Sequence, residues 1–211
     1  MTILERYEWC DLWWDETGEP DKPRVLLIGD SIAKGYYPFV RERLKAAAHV
    51  DRLTTSKSLD NPSLRYELDY FIRRHPEFRY AAIHFNNGLH GKHLSAAAYE
   101  EHYDRLIRYM AEQSDARIIP ALTTPVTTKG AGTPFLLERD VNGLVLERNR
   151  AVLSVAAKYV LEVHDLYVPM LGRSEYRAED GVHYNERGQR AQAALVAEAI
   201  GGALRHAGKE E

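Results

Sequence analysis

Arg24-Val25-Leu26-Leu27-Ile28-Gly29-Asp30-Ser31-Ile32 is the stretch on which the reading of the fold turns. Four branched aliphatic residues in a row, stopped by a glycine, are the pattern of a strand buried on both faces. Residues 37–48 follow with helical spacing, Phe39, Val40 and Leu44 falling on one side. The same alternation recurs downstream. Asn61-Pro62 opens a helix to about Arg74, with proline in the first turn. Tyr80 to Phe85 reads as a second buried strand, and Ser95 caps a helix from Ala96 to about Gln113. Residues 117–122 read as a third strand, 123–139 as a long Thr/Pro/Gly-punctuated loop, 142–158 as a helix and 159–163 as a further short strand. A last helix is expected from Asn185 toward His206. Short apolar strands alternating with amphipathic helices imply βαβ units, hence an α/β protein whose parallel sheet is covered on both faces. Right-handed crossovers bring the C-terminal ends of such strands to one edge, where open α/β sheets bind their ligands.

The chemistry is therefore sought just after strands. Ser31 stands on the turn between the first strand and the next helix, where its own N–H lies at a helix N-terminus and favours an oxyanion. A serine hydroxyl is a weak nucleophile and needs a base. Asp180-Gly181-Val182-His183 supplies one: the spacing lets a single turn present His183 as base and Asp180 as the carboxylate that orients it. Asp165, after the segment ending at His164, is a second acid within reach of the same role, with capping of the next turn as its alternative.

Composition narrows the field. The 211 residues carry 28 Lys plus Arg against 31 Asp plus Glu, a formal charge of −3 that offers no basic field for nucleic acid. Hydrophobic residues make up 45% and charged residues 28%, the balance of a soluble globular chain, and the length suits a single domain over 1–211. One cysteine, Cys10, makes no internal disulfide and no Cys-rich zinc site. No run is long enough to span a membrane, and the first residues carry Glu5, Arg6 and Glu8 rather than a signal-type apolar stretch, so a cytoplasmic location is expected.

Gly29-Asp30-Ser31-Ile32 near one end and Asp180-Gly181-Val182-His183 near the other, with βαβ units between, resemble the SGNH (GDSL-type) hydrolase family. The resemblance covers nearly the whole chain. It implies a flavodoxin-like three-layer α/β/α sandwich with a central parallel sheet, and cofactor-independent ester hydrolysis by Ser31, His183 and Asp180. Two further blocks of that family fit less closely. Where it carries Gly-x-Asn-Asp, this chain has His84-Phe85-Asn86-Asn87-Gly88, which aligns Asn86 with the oxyanion asparagine and leaves Asn87 to brace the turn before Gly88. Where it carries a glycine block, which should lie here after Leu53, residues 54–60 contain none. A backbone N–H near Ser56, with Ser58 next, is then the expected third oxyanion donor beside Ser31 and Asn86. The implied substrate is a small-molecule or carbohydrate ester, an acetyl ester first. A thioesterase, a lysophospholipase and an inactive carbohydrate-binding domain are the alternatives.

Two other clusters invite a function. His84, His90, His93 and His102 suggest a metal, but nothing supplies a Cys or His-Glu-x-x-His partner set, and no metal site is expected. Residues 29–35 lack the ending of a phosphate loop and the Gly-x-Gly-x-x-Gly of a dinucleotide site. Trp9, Trp13 and Trp14 read first as packing across the domain, and second as stacking platforms for a sugar.

Overall fold

The computed structural model describes residues 4, 7–19, 21–75, 77–130 and 135–207. Its strands are β1 (Cys10–Trp13), β2 (Arg24–Gly29), β3 (His49–Thr55), β4 (Tyr80–Phe85) and β5 (Arg117–Pro120). Its α-helices are α1 (Ser31–Leu44), α2 (Pro62–Ile72), α3 (Ala96–Gln113), α4 (Arg139–Lys158) and α5 (Glu186–Ala207). The sheet order is β1-β3-β2-β4-β5. From β3 to β5 every pair is parallel, while β1 joins the edge antiparallel to β3. The four parallel strands thus run in flavodoxin-like order, with the reversal between β2 and β4, and the crevice at such a reversal is where these sheets place ligands. One core packs β2, β4 and β5 side chains with α2, α3 and α4, and the other packs the opposite face with α1 and α5, which makes three layers.

Three features depart from the sequence reading. β3 was not expected, because Asp51 and Arg52 interrupt its apolar residues. Asp51 is nevertheless fully buried, accepting from Arg24 Nη1 at 2.8 Å, Tyr80 Oη at 2.8 Å and the Asp15 N–H at 2.8 Å. Burial pushes its carboxyl above the ordinary range, against the pull of these donors. β1, half exposed and only four residues long, shows no alternation to read. Helix α1 starts six residues earlier than expected, at Ser31, because Asp30 Oδ1 caps it by accepting from the Ile32 N–H at 2.8 Å.

The strand expected over residues 159–163 does not form. α4 ends there in a Schellman motif: the Leu161 N–H bonds the Ala156 carbonyl at 2.9 Å and the Val160 N–H the Ala157 carbonyl at 3.3 Å. Only His164 reaches the edge of the sheet, in a parallel bridge to Ala121. The motif puts Val160 at φ 55°, 92% exposed, in the left-handed region that a β-branched residue resists. Val160→Gly is expected to stabilise the fold by about 1 kcal/mol and to raise Tm by roughly 2–4 °C. A thermal melt with Tm unchanged or lowered would show that this conformation carries no strain.

Candidate active site

Ser31 is placed by the turn that links β2 to α1. Gly29 sits under that turn because a Cβ there would lie 2.4 Å from the Ala33 Cβ, so only glycine lets the helix rise this close to its strand. At the other end of the chain, the turn before α5 is pinned from both sides. Arg177 donates to the Pro125 carbonyl at 3.1 Å and to the Gly181 carbonyl, and stacks on Tyr184 at 4.3 Å. The Thr127 N–H also donates to the Gly181 carbonyl at 2.9 Å. Gly181 has φ 75° and its Cα faces the Thr127 carbonyl, where a Cβ would meet oxygen at 2.3 Å.

These two turns meet. Ser31 Oγ lies 2.7 Å from His183 Nε2, and His183 Nδ1 lies 2.5 Å from Asp180 Oδ2. The second contact puts the ring proton on Nδ1, which donates to the carboxylate and leaves Nε2 to accept from the serine hydroxyl. Asp180 Oδ1 accepts from the backbone N–H groups of Val182 at 2.9 Å and His183 at 2.8 Å. Partial burial raises the Asp180 carboxyl, but the His183 ring and these two N–H groups outweigh it and hold it down at about 2. Asp180 and His183 stay half exposed, with side-chain exposures of 48% and 43%, so the line Ser31–His183–Asp180 opens to solvent. All three residues singled out in the sequence for this role are therefore brought together. Asp165 goes elsewhere: its Oδ1 accepts from the Tyr167 N–H at 2.7 Å and the Val168 N–H at 3.1 Å, capping a short 3-10 turn.

The expected oxyanion donors need correction. The Ser56 N–H is spent on the Trp9 carbonyl at 3.1 Å, and Ser56 Oγ accepts from the Trp9 N–H at 2.9 Å, so this residue anchors the N-terminal segment to β3. The Asn86 amide is spent as well, donating from Nδ2 to the Ala121 carbonyl at 2.7 Å and to Thr123 Oγ1 at 3.1 Å, toward β5. Asn87 points the other way. Its Nδ2 donates to the Lys57 carbonyl at 2.9 Å, reaching from the end of β4 to the loop after β3. Since β2 lies between those two strands, this hydrogen bond links the chain on either side of the strand that leads to Ser31. One amide hydrogen engages Lys57 and the second donates to no group among the described residues. The Ser31 N–H, at the α1 N-terminus, donates to no group among the described residues. Alternation along the strand correctly set the two asparagines on opposite sides; which side faces Ser31 depends on strand order, and no sequence pattern reports that.

The histidines do not converge. His84 pairs with His164 (Nε2 to Nδ1, 3.0 Å) inside the fold, and His93 Nε2 lies 3.0 Å from Asp60. Among the described residues no group of three His, Cys, Asp or Glu could hold a metal ion. Trp14 packs, stacked on Phe71 with centroids 4.3 Å apart; the Trp9 backbone is bonded to Ser56 and Thr55, with Lys34 5.2 Å over its ring, and Trp13 is 52% exposed. No helix among the described residues is long and apolar enough to cross a membrane.

No protein-family model and no curated protein matches the sequence. Solved structures do match the fold. A lipase/acylhydrolase from Enterococcus faecalis superposes with a TM-score of 0.64 at 18% identity, covering 85% of this chain and 96% of its own. An acetyl xylan esterase superposes with a TM-score of 0.66 at 18% identity, over 84% of this chain and 99% of its own. An acetylxylan esterase from Geobacillus stearothermophilus, solved as a catalytic mutant, gives 0.62 at 15% identity over 86% and 94%. The chain therefore has the three-layer α/β/α fold of the GDSL/SGNH hydrolases.

Proposed function

We propose that this chain is a serine ester hydrolase of the SGNH type that removes short acyl groups, acetyl above all, from a carbohydrate or other small molecule. The observation that carries the reading is the continuous line from Ser31 Oγ through His183 to Asp180 at the sheet's topological reversal. Ser31 Oγ attacks the ester carbonyl as its proton passes to His183 Nε2, and Asp180 holds the imidazolium that forms. The tetrahedral oxyanion takes hydrogen bonds from the Ser31 N–H and from the second N–H of Asn87. Collapse expels the alcohol with the proton from His183, leaving an acyl-enzyme. Water, deprotonated by His183, then releases the acid and restores Ser31. The fold relatives favour a short acyl group. Two of the fold relatives are described as acetyl xylan esterases.

The test is a substrate panel on purified protein: p-nitrophenyl acetate and its octanoate, acetylated xylo-oligosaccharides, an acyl thioester and a lysophospholipid, together with labelling by a fluorophosphonate. Hydrolysis of acetates well above the octanoate and lysophospholipid, with the label on Ser31, is expected. Preference for the long chain would replace the substrate class, and a protein neither labelled nor active would overturn the reading. In the same assay Asn87→Ala should lower kcat on the order of 10²-fold with little change in KM, and Asn86→Ala should act mainly on stability.

A further inference from the structure

Behind the Asn87 turn lies a charge that the chemistry above does not use. Arg148, on α4, is among the largest fully buried side chains, 1% exposed. Its Nη1 donates to the Gly88 carbonyl at 2.9 Å and the His90 carbonyl at 2.6 Å, and its Nη2 to the Gly91 carbonyl at 2.6 Å. The guanidinium stacks on the Tyr99 ring at 4.8 Å. Tyr99, from α3, donates its hydroxyl to the Asn87 carbonyl at 2.6 Å. Four of the five carbonyls from 87 to 91 are thus gripped from beneath by two side chains on two packed helices.

Taking a guanidinium out of water costs several kcal/mol, and an apolar residue of similar volume serves packing as well or better. What the guanidinium adds is direction: its planar fork fixes several acceptors at once in one geometry. Here the acceptors are the backbone of the loop that carries Asn87. The Asn87 backbone is held by Tyr99 and its side chain by the Lys57 carbonyl, so the remaining amide hydrogen has a single direction left. Donors aimed in advance at a developing charge are what makes an oxyanion site effective, and a few tenths of an ångström of slack weakens them.

We propose that Arg148, acting with Tyr99, is the positioning residue of the oxyanion site. It touches no substrate. It holds the 87–91 loop so that Asn87 meets the transition state rather than the ground-state ester. This rests on the ester-hydrolase reading, and the experiment separates the two. Wild type, Arg148→Lys, Arg148→Met and Tyr99→Phe are compared with p-nitrophenyl acetate for kcat and KM, with phenylboronic acid as a tetrahedral mimic, and by thermal melt. For Arg148→Lys and Tyr99→Phe we expect cooperative melts and kcat lowered at least tenfold for the first and several-fold for the second. KM should stay within twofold, and boronate affinity should fall in parallel with kcat/KM. Arg148→Met, which removes every donor, should fall below Arg148→Lys. If Arg148 variants do not fold, Tyr99→Phe, which deletes one hydroxyl, decides by the same ratio. Folded variants with wild-type kcat and boronate affinity, or a loss confined to Tm, overturn the positioning role. A wild-type protein inactive on every ester overturns the hydrolase reading and this inference with it.

Discussion

Ser31→Ala should lose ester hydrolysis by a factor on the order of 10⁴–10⁶ in kcat while keeping its thermal melt. The two halves of that expectation have separate causes. In the proposed mechanism the hydroxyl oxygen bonds to the acyl carbon, which an alanine methyl cannot do; the residual rate then reflects oxyanion donors acting on water. Among the described residues its side chain bonds only His183, at 2.7 Å in a half-exposed place, so its loss leaves no buried group unpaired. Asp180→Asn should cost about 10⁴ in kcat, because the amide favours the wrong imidazole tautomer. With the wild-type Asp180 carboxyl held down at about 2, it stays ionised in any assay above that pH, so acid inhibition there is not its protonation. More than a few per cent of wild-type turnover in Ser31→Ala would remove Ser31 as nucleophile, and Asp165→Asn falling further than Asp180→Asn would reassign the acid.

Acid lability should come from the interior. His84 is fully buried on β4, and burial, followed by the nearby His164, lowers its pKa well below the ordinary value. Burial lowers His164 to about 4, against a smaller upward pull from Asp165. Both rings are neutral in the folded state at neutral pH, and the sign of the linkage follows. Above the unfolded value of ~6.5 neither state is charged and the pair contributes no pH dependence. Below it the unfolded chain binds protons that the folded chain refuses, so stability falls with pH until His164 itself protonates near 4 in the folded state. From His164 alone the loss between neutrality and pH 5 is about 2 kcal/mol, or roughly 4–8 °C in Tm, and His84 adds in the same direction. Melts at a series of pH values on wild type and on a His84→Asn, His164→Asn double variant check this. The difference between them should shrink as the pH falls; a wild-type Tm flat from pH 7 to 5, or a double variant as steep, would exclude the pair as its origin.

Much of the fold was legible because its elements announce themselves in apolar periodicity and caps. Tyr80–Phe85 and the Ser95-capped Ala96–Gln113 stand where the sequence put them. That Ser31, His183 and Asp180 could meet was legible too, since each lies on a short turn at a strand end or before a helix. What could not be read depends on distant partners. β3 is built round a buried carboxylate made tolerable by donors from Asp15, Arg24 and Tyr80, all distant in sequence. Residues 159–163 are as apolar as a strand, but the helix before them ends in a hydrogen-bonded cap that turns Val160 outward. Asn86 and Asn87 differ only in which neighbouring strand each faces. Arg148 gave no signal at all, because a buried arginine on a helix looks like a surface one until its carbonyl acceptors are folded beneath it.

Ser31 and His183, the proposed nucleophile and base, are separated by 152 positions, Ser31 opening α1 and His183 standing on the turn before α5. During synthesis the serine and its helix emerge long before the imidazole that must activate them. A growing chain can therefore assemble β2, α1 and β3 while its hydroxyl remains as unreactive as any surface serine. The proposed chemistry requires the turn held by Arg177 and Thr127 to be in place beside Ser31. Such long-range contacts form late, after the loop entropy between them has been overcome. A copy truncated before residue 180 would carry Ser31 without the imidazole proposed to activate it.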